Sequence, residues 1–136
     1  MSSPFRRRVF ALLNVFDTPE LAPTARFFTE TIVADTWHVY GPFGGDGGGD
    51  DVAAVPTLAQ LRAANVSACL VPGSAHSAND DGKYAWIADL KQLVREIYDY
   101  NIEEDRIAKN DDIRLIGICF GVIFFFFTFE KSNFHF

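Results

Sequence analysis

The chain has 136 residues, of which 49% are hydrophobic and 22% charged, with a formal charge of −6. That length holds one compact core of about 100–150 residues and excludes two full domains, and the composition excludes a chain disordered throughout. The acidic balance argues against a nucleic-acid partner, because neutralising phosphates takes a surplus of lysine and arginine on one face; small molecules or proteins fit better as partners.

The only two cysteines, Cys69 and Cys119, lie far apart in apolar runs. This is neither a disulfide scaffold nor a metal knuckle, so no metal or cofactor is expected, and a reducing cytoplasm suits the chain. Phenylalanine occurs 14 times, and eight of these fall after Cys119, so the tail differs in kind from the rest. Arg6, Arg7 and Arg8 precede a short apolar run, but Asn14 interrupts it and Asp17 and Glu20 follow closely. This reads as a basic lead-in to a first strand, not a targeting segment. The apolar stretch Leu115 to Phe129 holds fifteen residues, below the roughly 18–20 that span a bilayer, so no membrane association is expected.

Val9 to Leu13 is a continuous apolar run of strand length, the signature of a parallel strand buried on both faces. Asp17-Thr18-Pro19 breaks it, and Ala22 to Val33, with Phe27, Phe28 and Ile32 among polar residues and Pro23 in its first turn, reads as a helix. Trp37 to Tyr40 is a second strand. Gly44 to Asp51 holds neither helix nor strand. A phosphate cradle there would be opposed by Asp46, Asp50 and Asp51, and a solvated insertion is the alternative. Thr57 to Ala64 reads as a short helix with Leu58 and Leu61 inward, and Val66 to Val71 as a third buried strand ending at Pro72-Gly73-Ser74.

Tyr84 to Tyr98 carries Trp86, Leu90, Leu93, Val94 and Ile97 at helical spacing, with Asp89, Gln92, Arg95 and Glu96 opposite. Asp80 and Asp81 suit its N-terminus, Asp99 to Asp112 reads as a polar connection, and Ile113 to Ile118 as a fourth, buried strand. Strands alternating with helices predict a parallel sheet with helices on its faces, and in open sheets of this class ligands bind beyond the strands' carboxyl ends. Two loops therefore matter, Pro72 to Asp81 and Gly117 to Gly121.

Gly117-Ile118-Cys119-Phe120-Gly121 has the form G-x-C-x-G at a strand end, the thiol counterpart of a nucleophile elbow. Glycines two residues either side give the bend room, and a helix N-terminus at Cys119 would favour thiolate. The alternative is an inert cysteine in a glycine-rich turn; Cys69, mid-strand, reads as structural. Gly73, just past a strand end, could bring its N–H to a developing oxyanion, with the N–H of Phe120 as the second donor.

The segments LVPGSAHSANDDGKYAWIADLKQLVREIYDYN and IRLIGICFG, with the opening FALLNVFDTPE, resemble the class I glutamine amidotransferases, in particular free-standing amidotransferase-like and γ-glutamyl peptidase-like members. The resemblance runs over about Val9 to Gly121, and its specific part is Val71 to Trp86 and Leu115 to Gly121. It implies an α/β fold, the N-terminal half of a flavodoxin-like, doubly wound parallel-sheet domain over residues 1–121. It further implies Cys119 as the nucleophile, Gly73 and Phe120 as oxyanion donors, Gly117 and Gly121 as elbow glycines, and Ser74 and His76 in a substrate loop. The implied substrate is glutamine or a γ-glutamyl small molecule, and amidotransferases of this kind pass ammonia to a synthetase partner.

The pattern departs after Gly121. Relatives continue the elbow with His-Gln, where this chain has Val122 and Ile123, and the His-x-Glu pair expected farther downstream is absent. His76 is the sole histidine near the site and its loop suits donors and substrate contacts better than a general base; His38 reads as a structural strand residue and His135 as terminal. Residues 122–136, a Phe-rich tail with no amphipathic face, suggest a family reading frame interrupted after the elbow, leaving an uncovered sheet edge. The expected function is cysteine-dependent hydrolysis of glutamine or a γ-glutamyl bond, with negligible turnover in this form; the alternative is a non-enzymatic fragment or binding module.

Overall fold

A computed structural model of the chain describes residues 6–15, 25–41, 43, 54–72, 82 and 85–118. The elements follow in the order β1 (Val9–Leu13), α1 (Ala25–Thr31), β2 (Thr36–Tyr40), α2 (Leu58–Ala63), β3 (Ala68–Val71), α3 (Ala85–Ile102), a 3₁₀ turn (Glu103–Asp105) and β4 (Arg114–Gly117). The four strands form one sheet in the order β2-β1-β3-β4, every pair parallel. This is an α/β fold with helices on both faces.

Alternation along the central strands assigns the faces. Val9, Ala11 and Leu13 of β1 with Cys69 and Val71 of β3 pack against Leu61 of α2 and Ile87, Leu90, Val94 and Ile97 of α3. Leu12 and Leu70 point the other way, against Ala25, Phe28 and Ile32 of the α1 region and Trp37. Both β1 and β3 thus bury two faces, which is why their sequences read as unbroken apolar runs. On α3 the periodic residues Trp86, Leu90, Leu93, Val94 and Ile97 are all buried, each large aliphatic side chain contributing about 1.5–3 kcal/mol on burial.

Side-chain bonds fix the amino ends of the strands. The Val9 N–H donates to Ser67 Oγ at 3.2 Å, while the Ser67 hydroxyl donates to Val9 O at 3.2 Å and the Ser67 N–H to the same oxygen at 2.7 Å. Thr57 and Gln60 form a reciprocal capping box at the start of α2. The helix ends on Asn65 in the left-handed region, φ 59°. There the Val66 N–H reaches Leu61 O at 3.0 Å and the Asn65 N–H reaches Arg62 O at 3.0 Å, the paired bonds of a Schellman cap. Asn110, φ 56°, closes the turn before β4 in the same manner, through Asp111 N–H to Arg106 O and Asn110 N–H to Ile107 O.

Several expectations are corrected. β4 is not a buried strand: it ends the described sheet order, with Ile116 42% and Ile118 36% exposed. α3 runs to Ile102, four residues past the expected end, because Tyr100 is buried and Asn101 bonds the next strand. The connection after it is wound into the 3₁₀ turn and further turns. α1 ends at Thr31, two residues before the expected Val33, with Phe27 62% exposed and Phe28 packed against Leu12 and Leu70. β3 starts at Ala68, since the Val66 N–H is used by the α2 cap. The Gly44 to Asp51 loop, Asp80, Asp81 and the tail 122–136 lie outside the described residues.

Candidate functional site

The carboxyl ends of β3 and β4 are where the proposed loops leave the sheet, and the structure sets those two exits side by side. Val71 pairs with Gly117, and the Ile118 N–H donates to Val71 O at 3.0 Å. In a parallel ladder neighbouring strands stand about 4.8 Å apart, so the ends of β3 and β4 stand as close neighbours at one level. β4 is held from its other end by α3. The Asn101 side chain donates from Nδ2 to Ile113 O at 2.7 Å and accepts from the Ile113 N–H through Oδ1 at 2.8 Å. Ile113 is 1% exposed, so this clamp satisfies two backbone groups where water does not reach.

The strand order adds a topological landmark. β2 lies on one side of β1 and β3 on the other, which makes the β1/β3 boundary the topological switch point. At its carboxyl edge the Asn14 N–H donates to Tyr40 O at 2.7 Å. Gly41 follows with φ +106°, and a Cβ there would stand 2.6 Å from Asn14 O. Only glycine passes without strain, so the ends of β1 and β2 are pinned at the same rim as the β3 and β4 exits.

Of the sequence-designated residues, Gly117 is the final residue of β4. Gly73, Ser74, His76, Cys119, Phe120 and Gly121 lie outside the described residues, as does His135. The other thiol behaves as expected of a structural cysteine: Cys69 is fully buried in β3, and burial pushes it up to about 12. Tyr40 on β2 is also raised, first by burial and second by the Cys69 charge. His38 sits in β2, half-buried, with its ring centroid 6.5 Å from that of Tyr40. Three strand spacings, about 14 Å, separate β2, which carries His38, from β4.

Among the described residues, no group of three or more His, Cys, Asp or Glu side chains could hold a metal ion. No described helix is long and apolar enough to cross a membrane. Sequence reasoning missed two features. Asn101 looks like one more polar residue in a charged connection, and its role shows only once α3 and β4 are apposed. Arg62 has no local signal either; the fold brings it to the amino ends of the strands beside Arg6 and Arg7. Set against protein-family models, curated proteins and solved structures, the chain matches none.

Proposed function

We propose that this chain carries the sheet and nucleophile elbow of a cysteine-dependent, glutamine amidotransferase-like or γ-glutamyl hydrolase-like domain located in the cytoplasm. The observation that supports the reading best is the Val71–Gly117 register, which sets side by side the ends of the two strands that precede Gly73 and Cys119 in the sequence. The strand order β2-β1-β3-β4 adds to it, being the first four positions of the flavodoxin-like order 2-1-3-4-5.

In this reading the Cys119 thiolate attacks the γ-carboxamide carbon of glutamine, and the backbone N–H groups of Gly73 and Phe120 bind the oxyanion. The C–N bond breaks as the amide nitrogen takes up the proton given up by the thiol and leaves as ammonia, and a glutamyl thioester remains. Water attacks that thioester, releasing glutamate and returning the thiol. Gly117 and Gly121 give the bend its space, and Ser74 and His76 line the substrate side. A γ-glutamyl peptide reacts by the same route with an amine as the leaving group, whereas a synthetase partner would receive the ammonia.

Deacylation needs a base, and general acid–base assistance is worth about 10²–10⁴-fold. Of the three histidines none stands in a His-x-Glu pair; His38 lies on β2, and this reading assigns His76 to substrate contacts and not to the base. Turnover by the 136-residue chain is therefore negligible while its nucleophile remains chargeable. The experiment is to incubate the purified chain with a chloromethyl-ketone analogue of glutamine and locate the adduct by peptide mass spectrometry. A glutamine-protectable adduct on Cys119, absent in Cys119→Ala, is expected, with ammonia release no higher than in that variant. An adduct at Cys69, or no protectable adduct, refutes the assignment of the nucleophile; multiple turnovers refute the inactivity.

A further inference from the structure

The amino ends of the strands, at the edge opposite Pro72 and Ile118, open onto a cavity of about 770 Å³. Val9 and Thr36 begin β1 and β2 there, and Val66 and Ile113 immediately precede β3 and β4. Arg6, Arg7 and Arg62 line it against one carboxylate, Asp111. On a chain with a formal charge of −6 this is a local inversion of sign.

The charges are not used up by their neighbours. Asp111 is occupied by Arg106 at 2.8 Å, and Arg6 lies 3.4 Å from Asp112. Among the described residues no carboxylate stands within salt-bridge distance of Arg7 or Arg62. The Arg62 guanidinium lies 5.0 Å from the centre of the Tyr100 ring, a stacking that orients the group and leaves its N–H donors available. Of the carbonyls at the end of α2, those of Gln60, Leu61 and Arg62 accept the Ala64, Val66 and Asn65 N–H groups. Three arginines against one carboxylate, carried on separate elements, line the cavity.

We propose that this cavity binds a small organic molecule carrying two or more phosphate groups. A lone ion would not fill it, since its volume falls in the range of about 300–1,000 Å³ typical of small-molecule pockets. Two phosphates are what Arg7, on the segment leading into β1, and Arg62, on α2, can engage from different sides. The inference is independent of the cysteine chemistry.

The test is titration calorimetry on the full chain with inorganic pyrophosphate and ADP, and with adenosine as the uncharged control. Pyrophosphate and ADP bind, adenosine does not, and affinity falls as salt rises from 50 to roughly 200 mM. The double variant Arg7→Ala/Arg62→Ala loses at least tenfold in affinity, and Arg7→Ala alone, an exposed position outside any element, at least threefold. Arg26→Ala, removing an arginine paired with Glu30 on α1, changes nothing, and Cys119→Ala binds as the unaltered chain does. Absence of pyrophosphate and ADP binding at millimolar concentration, equal binding by Arg7→Ala, or equal binding of adenosine overturns the proposal.

Discussion

Replacing Asn101 by alanine removes a two-way clamp, and the cost follows from what is left behind. The Ile113 N–H and C=O lose partners at 2.8 and 2.7 Å, and because Ile113 is 1% exposed water cannot replace both. A buried unsatisfied polar group costs about 1–3 kcal/mol, so the two together cost about 2–4 kcal/mol after partial relaxation. For a chain of this length an unfolding entropy of about 2.1 cal/mol/K per residue converts that into a fall in Tm of about 7–14 °C. Asn101→Asp keeps the acceptor for the Ile113 N–H but sets a carboxylate against its carbonyl, so it too is destabilised. Gln92→Ala, which deletes an exposed bond to Glu96 elsewhere on α3, stays within about 0.5 kcal/mol. Urea unfolding followed by far-ultraviolet circular dichroism gives all three values. An Asn101→Ala cost no larger than that of Gln92→Ala would refute the idea that this side chain sets the start of β4.

Three further outcomes are expected. Gly41→Ala forces a side chain into φ +106° with its Cβ 2.6 Å from Asn14 O, and should cost about 1–3 kcal/mol in thermal unfolding; a neutral change would mean the β2 exit is not pinned. Thr57→Ala breaks the capping box of α2 and should cost about 1 kcal/mol in urea, with Gln60→Ala costing less than the double variant. Cys69, raised by burial from 9.0 to about 12, stabilises fully below pH 9 and loses that contribution as pH climbs towards 12, because only the unfolded chain ionises in that window. Stability should drop by about 1.4 kcal/mol between pH 8 and 10 on this account, and a Cys69→Ala variant with the same drop would exclude it.

How much of this was legible in the sequence depends on whether the cause was local. The buried residues of α3 follow from spacing alone, and the start of α2 from Thr57 and Gln60, since caps and amphipathic faces are written within one turn or two. β1 and β3 were legible because burial of both faces leaves an unbroken apolar run. The same reasoning misjudged β4: Leu115 to Ile118 looks alike whether its outer face is covered or, as at Ile116, exposed. The end of α3 was hidden because the residues that extend it, Tyr100 and Asn101, answer to Asp111 and Ile113 across a turn and not to a helical period. Of the candidate site, the strand exits at Pro72 and Gly117 were legible from Gly and Pro punctuation. The arginines at the opposite edge were not, since Arg6 and Arg62 come together only through parallel strand pairing.

The two thiols give the sharpest separation between a structural and a chemical cysteine. Register places Leu115 of β4 opposite Cys69, and the described pairing ends at Val71–Gly117, two residues before Cys119 in the sequence. Cys69, with its thiol raised to about 12, is thiolate to only about one part in 10⁴ at pH 8, and full burial blocks reagent besides. On the proposed function Cys119 occupies a bend that favours thiolate. With a chromogenic disulfide at pH 8, one equivalent should therefore react in the native chain, at least 10³-fold faster than the second. The second should react only at the rate of unfolding and speed up in urea. Cys119→Ala should abolish the fast phase and leave the slow one, whereas Cys69→Ala should do the reverse. Comparable rates for both thiols in the native chain, or a fast phase that survives Cys119→Ala, would remove the chemical distinction on which the elbow reading depends.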